Sequence, residues 1–290
     1  MTGISVAIPQ SIDETLGLLE KWGPDAALIA GGTDLVVELK DKLKSKKALI
    51  DIGHIPELGG IREAEGDHVW IGALSTHAEI ASSPVVKETA PLLANACALV
   101  GSPQIRNRGT IGGNISTASP AGDTIPALYV LEASVEILGP KGKRVVPVES
   151  FFQGPKKSAL APCEIVLGVK FPKLGKDHVS FFRKLGQRKS LAISIVSVAF
   201  AGRCQEPGLF TGVRIALGAV APTVVRARTV ENAICNMKLD PKSLEYVSRL
   251  AFRDCVPITD VRGSEGYRQM MACNLLYEGL LELLSCPKAG

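Results

Sequence analysis

The chain has 290 residues, of which 46% are apolar and 21% charged, with a formal net charge of +4. That length exceeds one small core and suits two or three domains, and the composition is that of an ordinary globular protein. The charge favours anionic ligands slightly and falls well short of a nucleic-acid-binding surface.

The first nine residues have neither the basic start nor the long apolar segment of a signal peptide. No stretch approaches the roughly 20 apolar residues that a membrane span needs. A cytoplasmic protein without a membrane span is therefore expected.

Ser11 and Glu14 have capping-box spacing, in which two side chains satisfy free amides at a helix start. Ile12, Leu16 and Leu19 follow on one helix face, and Gly23 ends it. Residues 26–30 are a short apolar run, read as a buried strand leading into Gly31-Gly32. Residues 34–43 are helical in pattern, the basic run 40–47 reads as a solvated helix end, and 48–52 form another strand. A first α/β subdomain is expected over residues 1–55.

Residues 69–72 are strand-like, and Thr76 with Glu79 repeats the capping-box spacing. Val85, Ala90, Leu93, Ala96, Cys97 and Val100 fit one helix over 84–100. Periodicity then vanishes until Pro126, leaving a glycine-rich stretch that reads as structureless backbone. A short helix over 125–131 and a strand over 134–138 follow. Gly139-Pro140-Lys141-Gly142 then turns the chain into 144–148, a hairpin signal. Residues 165–171 alternate like a strand and stop at Pro172.

The character changes after residues 173–176. Stretches 179–182, 192–201 and 213–220 are strand-rich. Asp240-Pro241 opens a helix with Asp as the cap and Pro at the first helical position, and 263–284 is a long helical pattern. Two further domains are expected, over 56–175 and 176–290.

The seven cysteines (97, 163, 204, 235, 255, 273 and 286) are odd in number, and no two are spaced as Cys-x-x-Cys. Reduced, mostly buried thiols are expected, with neither a disulfide framework nor a local metal site. Cys273 and Cys286 fall on or beside the final helix. The four histidines are equally scattered.

Two loops carry the chemistry. Leu28-Ile29-Ala30-Gly31-Gly32-Thr33-Asp34-Leu35 places a glycine pair between a strand and a helix. There, backbone amides can approach a phosphate with no side chain in the way. A plain tight turn is the competing reading. Thr110-Ile111-Gly112-Gly113-Asn114 is a second donor-rich loop, with Ser116, Thr117 and Ser119 behind it. Asp123 is its one carboxylate, able to accept from a sugar hydroxyl, to cap a helix at Thr124, or to do both. Two such loops suggest a dinucleotide held between them. The chain has no Gly-x-Gly, no Gly-Lys followed by Ser or Thr, and no Gly-x-Ser-x-Gly. The Rossmann fingerprint, the P-loop and the hydrolase elbow are therefore excluded.

The ordered set Ala30-Gly31-Gly32-Thr33-Asp34-Leu35, Arg108-Gly109-Thr110-Ile111-Gly112-Gly113-Asn114 and Ala118-Ser119-Pro120-Ala121-Gly122-Asp123 resembles the FAD-binding medium subunit of molybdenum hydroxylases. That group includes carbon monoxide dehydrogenase and the flavin domain of xanthine dehydrogenases. Phe182-Arg183-Lys184-Leu185-Gly186-Gln187-Arg188 and Tyr267-Arg268 extend the likeness to the C-terminal part.

The resemblance implies an α+β fold of the vanillyl-alcohol-oxidase (PCMH) type, with two α/β subdomains holding non-covalent FAD and a C-terminal α/β domain. It implies cofactor contacts from Leu28 through Leu35, from Thr110 through Asn114, and from Val100, Asp123, Val166 and Lys184. A cation at Lys184 near the flavin would raise its potential. It implies an oxidoreductase without catalytic or metal-ligating side chains of its own. Electrons would arrive from [2Fe-2S] clusters on a small subunit, served by a molybdopterin-bearing large subunit, and leave for NAD or a quinone-type acceptor. No cysteine-bearing insertion of the benzoyl-CoA-reducing branch is present. The alternatives are a self-sufficient flavin oxidase or reductase, with His77 or Tyr267 as acid or base, and a non-catalytic protein whose glycine loops are only turns.

Overall fold

The computed structural model describes residues 3–41, 43, 45–188, 192–235 and 237–284. Three sheets organise it. In the first, strands Ser5–Ala7 and Ala26–Ile29 flank Ala48–Asp51, both parallel to it. The helix Ile12–Trp22 lays Leu19 against Ala48 and Ile50. Ser11 accepts from the Glu14 amide as expected. The Glu14 carboxylate, however, takes the amide of Gln10 at 2.8 Å, so the reciprocal half of the cap sits one residue early. Gly23 ends the helix with positive φ. The next helix is shorter than its pattern, Leu35–Lys40.

The second sheet is antiparallel, in the order Ile61–Ala64, His68–Gly72, Ile165–Pro172, Ser134–Gly139, Gly142–Pro147. The expected hairpin closes with Gly139 opposite Gly142. Packed on this sheet is the largest core, around Leu93, Ile111, Leu128, Val135 and Phe171.

Two readings of this region are corrected. The single helix over 84–100 is two, Pro84–Thr89 and Pro91–Ala98. Pro91 has no amide to donate and forces Ala90 out of the helical region, to φ −151° and ψ 59°. The supposedly structureless stretch holds the helices Pro103–Arg106 and Ile111–Thr117. The second forms in spite of two glycines because Thr110 caps it and the surrounding core packs on Ile111 and Ile115.

The third sheet is an antiparallel meander of His178–Leu185, Val196–Glu206, Leu209–Gly218 and Val225–Arg226. Its core is closed by Arg228–Ile234, Pro241–Arg249 and the long helix Glu265–Leu284. Asp240 caps its helix as expected, with Pro241 at the first position. The thiols of Cys97, Cys255 and Cys273 are buried, those of Cys163 and Cys204 half-buried, and Cys235 is exposed; Cys286 lies outside the described residues. Among the described residues no helix is long and apolar enough to cross a membrane.

Candidate functional site

The Ala26–Ile29 strand was expected to be buried, yet only Ala26 is; Ala27 through Ile29 are half-exposed. Their free side lines a cleft of about 260 Å³ where the first sheet meets the second. At the strand end the chain must touch the opposite wall. A Cβ on Gly31 would stand 1.8 Å from the carbonyl oxygen of Arg108, so no other residue fits. Gly32 follows at φ +72°, where side chains are strained. A Cβ there would crowd Val36 and Ile29. The turn itself therefore requires Gly32, whatever space it also leaves in the cleft.

The turn has a direct consequence. The amides of Gly31, Gly32, Thr33 and Asp34 have no acceptor among the described residues. Four adjacent unpaired N–H groups beside a cleft are costly unless water or an anion takes them, and such a nest is an anion-binding element.

The opposite wall is built differently. Thr110 Oγ1 accepts from Gly113 N, while the amides of Ile111 and Gly112 go to the carbonyls of Ser75 and Ala73. The first turn of the Ile111–Thr117 helix has therefore used its donors. Asn114, Ser116 and Thr117 line the cleft as polar side chains instead. Two contacts tie the walls together. Thr117 donates to Asp34 at 3.1 Å, and Lys156 pairs with the buried Glu38 at 2.8 Å.

The cleft brings together Leu28, Ile29, Ala30, Gly31, Gly32, Thr33, Asp34, Leu35, Val100, Thr110, Gly113 and Asn114. Five other expected contacts are not part of its lining. Ile111 is fully buried, and Gly112 lies so close to Ala73 that a Cβ would be 2.6 Å from it. Val166 sits in the second sheet opposite Ile137. Buried Asp123 and half-buried Lys184 form a pair at 2.5 Å, with Ser194 donating to Asp123 and Lys184 also donating to the Leu99 carbonyl.

Asp123 does not cap the helix Thr124–Val130. It is already helical, and its carboxylate is spent on Lys184 and Ser194. Burial pushes that carboxyl above its ordinary pKa, with Lys184 and Ser194 pulling against it. The pair lies just behind the cleft wall, since Thr124 donates to the cleft residue Asn114 at 2.6 Å. Lys184 is neither a surface lysine nor a free cation.

The cleft also holds residues that the sequence reading missed. Glu38 stands one helical turn after Asp34, a spacing that could have flagged it. Ile105 left no signal. His77 had been noted only as an acid or base, but it lines the cleft, and Tyr267 does not. Burial, with Arg106 nearby, lowers the His77 pKa from 6.5 to about 4, so its imidazole is neutral near pH 7.

Comparison with known proteins agrees with this geometry. Residues 2–174 match the family model described as the FAD binding domain in molybdopterin dehydrogenase, and residues 181–283 match the CO dehydrogenase flavoprotein C-terminal domain. The chain is 36% identical over 273 residues to the carbon monoxide dehydrogenase medium chain of Hydrogenophaga pseudoflava, covering 94% of each. It is 36% identical over 286 residues to the nicotinate dehydrogenase FAD-subunit of Eubacterium barkeri, covering 97% of this chain and 96% of that one. Its fold superposes on the carbon monoxide dehydrogenase structure from Hydrogenophaga pseudoflava with a TM-score of 0.92, at 34% identity and 96% coverage of both chains.

The fold is thus the α+β, PCMH-type FAD-binding fold of an oxidoreductase subunit. The chain belongs to the FAD-binding medium subunits of the molybdenum hydroxylases. FAD suits the residues present. Its diphosphate matches the nest at Gly31 to Asp34, and its hydroxyls match Thr110, Asn114, Ser116 and Thr117.

Proposed function

We propose that this chain takes single electrons from iron–sulfur clusters on a small partner subunit, collects them on FAD and hands them to NAD or a quinone-type acceptor. A molybdenum-cofactor large subunit oxidises the substrate and determines its identity. The flavin supplies both one- and two-electron chemistry, so this chain has to bind it, orient it and exclude competing reactions.

The observation carrying this reading is the row of four unpaired amides on a wall of the cleft. It supports Leu28 through Leu35 as the diphosphate side, with Val100 and Thr110 through Asn114 opposite. Asp123, Val166 and Lys184 enter as support from behind that wall. The family's own division of labour supports the partner subunits, and three sheets over 5–51, 61–172 and 178–226 accord with domains at 1–55, 56–175 and 176–290.

The test is a visible spectrum of the chain after incubation with FAD and desalting, repeated with co-expressed large and small subunits. Flavin bands released as free FAD on denaturation are expected. Their absence in both preparations would overturn the reading. Substrate-reduced complex should then be reoxidised by NAD or by a quinone, and reoxidation by neither would remove the proposed acceptors. A self-sufficient oxidase would instead turn over without partners.

A further inference from the structure

His77 is 3% exposed and lines the cleft, yet its Nδ1 is buried without a hydrogen-bond partner among the described residues. Its backbone amide is spent on the Gly109 carbonyl at 2.9 Å, which holds the residue against the second loop. The ring's orientation follows from Gly109. A Cβ built there would lie 3.2 Å from His77 Cδ2 and 3.4 Å from Thr33 Oγ1. The Cδ2 side of the ring, to which Nε2 belongs, thus lies against the second glycine loop next to Thr33 of the first. The amide of Thr33 is unpaired among the described residues.

The two tautomers differ in cost. A proton on Nδ1 would bury a donor with no acceptor, whereas a bare Nδ1 leaves only an unfilled lone pair, the more tolerated defect. A neutral ring therefore carries its proton on Nε2.

We infer that His77 is a ligand-binding residue whose Nε2–H donates to the diphosphate of the bound dinucleotide where the two glycine loops meet. This rests on the FAD reading of the cleft. Beside the amide nest it adds a side-chain donor from the second subdomain, so the diphosphate is gripped from both walls. The ring's neutrality lets it donate without adding a second positive charge beside Arg106.

The test uses the full chain stripped of FAD, titrated with FAD and with ADP, which carries the diphosphate without the flavin. His77→Leu should weaken both by about tenfold or more, the loss expected for a hydrogen bond to a charged group. His77→Gln, whose amide nitrogen reaches the Nε2 position, should recover most of that affinity, and His77→Asn, which mimics Nδ1, should not. Nitrogen-15 NMR of the FAD-loaded wild type should show a protonated Nε2 and a bare Nδ1.

Wild-type FAD affinity in His77→Leu, or a proton on Nδ1, would overturn the inference while leaving the cleft as an FAD site. A packing role alone would make all three variants lose apo-protein melting temperature together with affinity, without rescue by Gln, and that too would overturn it. Failure of the wild type to take up either ligand, both alone and assembled with the large and small subunits, would instead overturn the FAD reading, and this inference with it.

Discussion

Gly32 and His77 show how single positions govern the cleft. Gly32 holds φ +72°, and a β-branched side chain there is strained and crowds Val36 and Ile29. Gly32→Val should abolish FAD retention by unmaking the turn that frees the four amides. Normal flavin content in that variant, read from its visible spectrum, would count against the nest. His77 makes the apo chain acid-sensitive. Its folded pKa of about 4 lies below the ordinary 6.5, so the unfolded chain binds the extra proton between those values. Stability from this group is therefore present above pH 6.5 and lost as pH falls toward 4, by about 3 kcal/mol at most. Melting curves of wild type and His77→Gln across that window should converge at low pH if this holds; parallel curves would refute it.

At the scale of elements, the Ile111–Thr117 helix positions one wall. Its first turn is moored by Thr110, Ser75 and Ala73, and its approach to Ala73 leaves no room for a side chain at 112. Gly112→Val should push the helix off the second sheet and move Asn114 and Thr117 away from the first loop. Overpacking of this kind costs about 1–3 kcal/mol. We expect a lower melting temperature together with weaker FAD binding, and a change in only one of the two would separate helix placement from ligand binding. The capping residues at Thr76 and Asp240 were readable because a cap is a local bargain between neighbours in sequence. The Ile111–Thr117 helix was not readable, because its glycines argue against a helix and, beyond the Thr110 cap, contacts remote in sequence hold it there.

At the scale of the molecule, contacts across units decide stability. The pair Lys184–Asp123 joins the third sheet to the helix region of the second, with Asp123 buried and Lys184 half-buried. Lys184→Ala leaves a carboxyl buried without its cation, at a cost of about 3–5 kcal/mol. Denaturant titration of apo protein should show that loss, and the double change Lys184→Met with Asp123→Asn should recover part of it. Equal stability of Lys184→Ala and wild type would show that the pair is not coupled. On the proposed reading FAD binds where the first two units meet, and it should then stabilise their assembly. At a free concentration a hundred times its Kd the gain is about 2.7 kcal/mol, a rise of several degrees in melting temperature.

The sequence by itself determined the class of the protein. The glycine pairs, their order and their spacing are local signals, and a glycine turn needs little beyond its own residues to be recognised. It also determined most strands, the hairpin at 139–142 and the caps, because these depend on period and on neighbours a few residues apart. The tertiary structure alone decided which residues share the cleft. Asp123 and Lys184, 61 residues apart, read as ligand contacts, but the fold turns them toward each other. Gly31 meets Arg108, Glu38 meets Lys156, and His77 lines the cleft beside Gly109. None of these has a signature in the chain, since each depends on distances set by sheet packing between segments remote in sequence.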